Sequence, residues 1–188
     1  MCGRRGAGMG TLSVIFLIGP GGVGKTTTGV ALSRLSGSPF IDLDDEFCRR
    51  ILNIRAYIAR FGYAAYLQQN AALARTLLPP PGEKAILALS SGFLSTDTCP
   101  EIVAGNRGWV AKHGHAVLLL PARDLPTAEA IVVARQLGRG FGLKRDTETE
   151  KFRTRFREYR LLGDTQIFSR AHPSVIAGEI WHRVCELE

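Results

Sequence analysis

Cysteine is scarce and scattered in this 188-residue sequence, with four residues at positions 2, 48, 99 and 185 and no CxxC pair. That spacing excludes a disulfide framework and a zinc site, and it fits a reducing cytoplasm. The four histidines, His113, His115, His172 and His182, lack cysteine or carboxylate neighbours at metal-ligand spacing and read as turn or surface residues. No apolar run approaches the roughly 20 residues that a bilayer span needs, so no membrane segment is expected. Arg4 and Arg5 ahead of the run Leu12 to Ile18 imitate a secretory signal, but that run leads into a glycine-rich loop and not a cleavage site. Residues 1–11 therefore read as a flexible leader. Internal repeats and long linkers are also absent, which leaves 12–188 as a single domain.

Glycine and positive charge are plentiful by contrast: 21 glycines, and a formal net charge of +7. The charge points to anionic partners. A hydrophobic fraction of 45% with 22% charged residues is globular in character. Short apolar or β-branched runs at 13–18, 40–43, 84–89, 115–120 and 165–168 read as buried strands. Helical patterns fill the intervals, over 25–36, 45–61, 62–78, 100–113, 125–137, 148–161 and 173–186. Such alternation predicts an α/β fold with a parallel sheet covered on both faces, with ligands bound at the carboxyl ends of its strands.

Gly19-Pro-Gly-Gly-Val-Gly-Lys25-Thr26 satisfies GxxxxGK[ST] between a predicted strand and a predicted helix. Backbone amides from Gly21, Gly22, Val23 and Gly24 through Thr27 can surround phosphate oxygens at the positive end of the helix. Lys25 supplies a mobile charge for the terminal phosphates, and the Thr26 hydroxyl can ligate Mg²⁺. No NKxD-like guanine signature follows, and no long strand ends in an acidic pair after four apolar residues. A small ATP-dependent kinase is favoured over a GTPase or a motor.

Downstream, Asp42-Leu-Asp44-Asp45-Glu46 places two carboxylates two residues apart at the end of a strand, a spacing that sends both side chains to one side. One can support Mg²⁺ while the other orients an acceptor hydroxyl. The competing reading makes Asp44 a helix N-cap, with Asp45 and Glu46 favouring the helix dipole.

These pieces together resemble the shikimate kinase family. The likeness lies in IFLIGPGGVGKTTTGVALSRL, in DLDDEF, and in Arg155-Phe-Arg-Glu-Tyr159 followed by GDTQIF. The resemblance implies a three-layer P-loop kinase fold with a five-stranded parallel sheet in the order 2-3-1-4-5 and a mobile lid. It implies that Asp42 stands on the metal side and that Asp44 contacts the acceptor hydroxyl. It further implies that Arg139 is a lid arginine reaching the transferred phosphate and that Arg135 lies beside the adenine. Two family patterns are altered. An FRxxE motif aligns with Tyr66-Leu67-Gln68-Gln69-Asn70, and a triple glycine with Ser90-Ser91-Gly92. Arg155 is retained as a carboxylate clamp. Ser90 and Ser91 can bond a polyol or phosphate oxygen, or they can be loop punctuation. Arg55 and Arg60 can replace the lost arginine from another angle.

From Arg135 to Arg160, nine basic residues stand against four acidic ones. Gly138, Gly140 and Gly142 can hinge this basic loop shut as a lid over about 138–149. Clustered Lys and Arg also suit nucleic acid. However, Phe141, Phe152 and Phe156 read as packing residues and no nucleic-acid motif accompanies them, so nucleic acid is not an expected partner. The expected activity is transfer of the ATP γ-phosphoryl group to a hydroxyl of shikimate or a related hydroxy acid. A sugar acid or nucleoside is a weaker choice of acceptor, and an altered nucleotide sensor or scaffold is the alternative. The expected protein is a cytoplasmic monomer or weak homodimer.

Overall fold

A computed structural model describes residues 14–140 and 142–186. The expected leader, and Phe141 within the expected lid, lie outside the described residues. Strands β1 (Val14–Ile18), β2 (Phe40–Asp42), β3 (Ala85–Ala88), β4 (His115–Leu120) and β5 (Thr165–Phe168) form one sheet in the order β2-β3-β1-β4-β5. Every neighbouring pair is parallel, so all five strands end on the same edge. The 2-3-1-4-5 order expected from the resemblance is the one found. Central β1 reads VIFLI, and each of its residues is buried, as a strand covered on both faces requires.

Helices α1 (Lys25–Ser36) and α8 (Pro173–Cys185) lie against each other, as do α6 (Leu125–Leu137) and α7 (Arg145–Tyr159). Elsewhere, α2 (Leu43–Arg50) and α3 (Ile54–Phe61) both meet α4 (Tyr63–Arg75), which in turn touches α5 (Pro100–His113). The approach of α1 to β2 is close: a Cβ on Gly29 would stand 2.1 Å from a ring carbon of Phe40.

The pattern over 45–61 predicts a single helix, and the structure divides it into α2 and α3. Asn53 is the cause. Its side-chain oxygen accepts from the amides of Arg55 at 3.1 Å and Ala56 at 3.3 Å, which caps a new helix where the old one would have continued. Helix α7 also starts earlier than the expected position 148, so residues 145–149 of the expected lid are helical.

Candidate active site

Three of the turns at the carboxyl edge of the sheet converge on one region. The turn after β1 is the glycine-rich loop, in which Gly22 (φ 84°) and Gly24 (φ 97°) hold left-handed backbone angles that a side chain would oppose. Gly24 occupies the N-cap position of α1 and no side chain caps that end, so the first-turn amides are left facing the loop. Lys25 folds back over the loop, with Nζ donating to the carbonyls of Gly19 (2.8 Å) and Pro20 (3.0 Å). Burial pulls the Lys25 ammonium down from 10.5 to about 8; Asp44 and Asp42 pull upward, while Arg155 and Arg139 push downward.

The turn after β2 supplies the acids. Asp42 is the last residue of the strand and the N-cap of α2, with Oδ1 accepting from the amides of Asp44 (3.0 Å) and Asp45 (3.5 Å). Its other oxygen, Oδ2, accepts from the Thr26 hydroxyl at 2.7 Å and so ties β2 to the glycine-rich loop. This corrects the expected geometry in two respects. The capping residue is Asp42, and Asp44 reaches the site from the first turn of a helix, not through the alternation of a strand.

Asp44 Oδ1 takes a short hydrogen bond from the Ser90 hydroxyl and a longer one, 3.5 Å, from the Tyr66 hydroxyl. Ser90 in turn receives Asn70 Nδ2 at 2.9 Å. Burial raises the Asp44 carboxyl above the usual carboxylate range, helped by repulsion from Asp42. The Ser90 donor, the Lys25 charge and Tyr66 act against the rise. Tyr66, itself buried, has its phenol raised for the same reason and by the neighbouring Asp44 charge.

The turn after β3 carries Ser90, Ser91 and Gly92. Arg155 Nη1 donates to Ser91 Oγ at 3.0 Å, and the Tyr159 hydroxyl donates to the Ser91 carbonyl at 3.1 Å. A Cβ on Gly92 would stand 2.3 Å from the Tyr63 hydroxyl and 3.2 Å from Arg155 Nη2, so these two side chains meet over that glycine. Arg135 and Arg139 lie on the opposite flank. They line an open cleft of about 270 Å³ together with Gly22, Gly24, Thr27 and Ser169. Arg135 Nη1 reaches the Gly22 carbonyl at 3.4 Å. Gln136 lies against the loop as well: its Nε2 is 2.6 Å from where a Gly21 Cβ would be.

The donor set at the mouth of the loop fits a hard cation. A threonine hydroxyl and a carboxylate oxygen 2.7 Å apart are oxygen donors of the kind Mg²⁺ takes. Among the described residues no group of three His, Cys, Asp or Glu could hold a metal, and an ion shared with phosphates does not need one.

Of the sequence-derived site residues, Lys25, Thr26, Asp42, Asp44, Ser90, Ser91, Gly92 and Arg155 thus gather on one side of the loop, and Arg135 and Arg139 on the other. Arg60 does not join them, since its guanidinium lies over the ring of exposed Phe61 at 4.9 Å. Arg55 is exposed on α3. Tyr63, Tyr66, Asn70, Gln136 and Tyr159 were not among the expected site residues. One signal could have found two of them. Tyr66 and Asn70 are polar groups four apart on a helix face otherwise made of Leu67, Ala71 and Ala74.

Comparison with known proteins identifies the family and the fold. A family model described as shikimate kinase matches residues 21–174. Ninety residues, 47% of this chain, are 30% identical to the pentafunctional AROM polypeptide of Pneumocystis carinii, a relative of whose length the match spans only 6%. The shikimate kinase from Acinetobacter baumannii, solved in complex with shikimate, superposes with a TM-score of 0.74 at 22% identity, over 95% of this chain and 96% of that one. The shikimate kinase from Bacteroides thetaiotaomicron gives 0.73 at 16% identity, over 92% and 98%. At these identities the two structures speak for the fold. Among the described residues no helix is long and apolar enough to cross a membrane.

Proposed function

This chain belongs to the shikimate kinase family, and from that premise we propose that it is an ATP- and Mg²⁺-dependent kinase that phosphorylates a hydroxyl of shikimate or a related polar hydroxy acid. The observation that carries the proposal is the meeting of Lys25, Thr26, Asp42 and Asp44 where β1 and β2 end. Amides from Gly21, Gly22, Val23 and Gly24 to Thr27 hold the phosphate tail, and Arg135 stands beside the base. Thr26 and Asp42 would hold Mg²⁺, which would supply charge neutralisation at the phosphates during transfer.

Transfer of a phosphoryl group asks the protein mainly for positioning and charge stabilisation. Lys25 and Arg139 supply positive charge to the moving group. Asp44 orients the acceptor hydroxyl and receives its proton as the new O–P bond forms and the bond to the β-phosphate oxygen breaks. Ser90, Ser91 and Gly92 wall the acceptor pocket, and Arg155 grips an anionic group on the acceptor.

Asp44→Asn tests this reading. The variant is expected to bind ATP as the parent does while acceptor-dependent ADP release falls by about 10² to 10⁴-fold, the usual worth of a general base. Shikimate, quinate, gluconate and nucleosides make up the acceptor panel. Unchanged turnover removes Asp44 from the chemistry. ATP binding by the parent without ADP release across the panel indicates a nucleotide-sensing protein instead.

A further inference from the structure

We infer that Asn70 is a positioning residue for phosphoryl transfer: it fixes the Ser90 hydroxyl as a donor to Asp44, so that one oxygen of Asp44 is committed to the protein and the other is left for the acceptor. The inference rests on the reading of Asp44 as the acceptor-side carboxylate. It starts from counting hydrogens. Ser90 has one hydroxyl hydrogen, and the Asn70 amide nitrogen 2.9 Å away can only donate. Ser90 Oγ therefore accepts from Asn70, and its own hydrogen is directed to Asp44 Oδ1. The Tyr66 hydroxyl reaches that same oxygen from one turn earlier on α4.

The donors of this relay are shielded from solvent. Asn70 is 1% exposed, Ser90 3% and Tyr66 5%. Two donors on Oδ1 fix the carboxylate's rotation about its terminal bond. Among the described residues nothing donates to Oδ2. A carboxylate held in this way presents a single, stationary oxygen, which is what in-line attack by a hydroxyl requires.

A second, independent observation singles out Asn70. Its carbonyl oxygen, Oδ1, is buried without a hydrogen-bond partner. An amide left half-satisfied in an apolar face weakens the fold, and a leucine of similar size would pack there without that penalty. Its presence is explained by the hydrogen bond that its nitrogen makes and by what that bond holds in place.

The experiment compares the parent, Asn70→Leu, Ser90→Ala and the double variant. Unfolding temperature, affinity for a non-hydrolysable ATP analogue with Mg²⁺, and turnover with whichever of shikimate, quinate, gluconate or a nucleoside the parent uses are measured for each. Asn70→Leu is expected to keep the unfolding temperature and nucleotide affinity of the parent, to lower kcat about 10- to 100-fold, and to change acceptor KM by less than about threefold. The double variant is expected to be no slower than Ser90→Ala alone, because Asn70 acts through Ser90. An unchanged kcat in Asn70→Leu, or multiplicative losses in the double variant, overturns the inference. If the parent turns over none of the four acceptors, the proposed function fails at that point, and crystal structures of parent and Asn70→Leu decide the inference separately. A rotated Asp44 carboxylate supports it, and an identical pose overturns it.

Discussion

Asp42 divides its two oxygens between two tasks, and substitution can separate them. Oδ1 caps α2 at 3.0 Å and 3.5 Å, and Oδ2 receives the Thr26 hydroxyl at 2.7 Å. Alanine removes both. Loss of an N-cap costs about 1 kcal/mol, within a range of about 0.5 to 2. Thr26 is exposed, so water replaces its bond at little further cost. Asp42→Ala should therefore lose about 1 to 2 kcal/mol. For a chain of this size that lowers Tm by about 2 to 8 °C. Asparagine caps as well as aspartate does. Its carbonyl can keep Oδ1's place while its amide nitrogen faces Thr26, whose hydroxyl then accepts. Asp42→Asn should stay within about 2 °C of the parent, yet lose the charge that would hold Mg²⁺. Thermal unfolding reads the first effect, and titration of ATP with and without Mg²⁺ reads the second. The reasoning is refuted if asparagine destabilises as much as alanine, or if the magnesium dependence of nucleotide binding survives in Asp42→Asn.

Two further tests probe the frame around the site. Gly29→Ala drives a methyl into the Phe40 ring. The overpacking cost of about 1 to 3 kcal/mol exceeds the roughly 1 kcal/mol of helix propensity gained, so Tm should fall, and Phe40→Leu should restore most of the loss. An unaffected Gly29→Ala would contradict the close approach of α1 to β2. His115 lies at 8% exposure, with Nε2 2.8 Å from Thr165 Oγ1. Burial lowers its pKa from 6.5, against an upward pull from Asp164. Below pH 6.5 the unfolded chain binds the proton that the folded chain refuses, so stability falls with acidification in that window and recovers as pH rises through it. In His115→Gln this part of the pH dependence of unfolding should be flattened, and an unaltered slope rules His115 out as its source.

Most of the strands and the phosphate loop could be read from sequence because their signals are local. VIFLI followed by GxxxxGK[ST] carries its own context, and β4 and β5 fall where the apolar runs do. The break at Asn53 was equally local, but one capping residue inside an amphipathic stretch is easily outweighed by the periodicity around it. The expectation that Asp42 and Asp44 share one side rested on a geometry that the structure replaces. Spacing by two suggested strand alternation, whereas the strand ends at Asp42 and a helical turn carries Asp44 inward. The relay from Asn70, the approach of Tyr63 and Arg155 to Gly92 and the approach of Gln136 to Gly21 join residues that are far apart along the chain. Nothing in one segment encodes them, because they exist only once α4, α6 and α7 have docked.

The pairing of α1 with α8 bears on how the protein is made. The glycine-rich turn leaves the ribosome early, but α8, which packs against the helix that follows that turn, emerges last of all the described elements. Until that late segment arrives, α1 lacks the helix it packs against, so the glycine-rich turn that leads into α1 gains its backing only after β5 has been made.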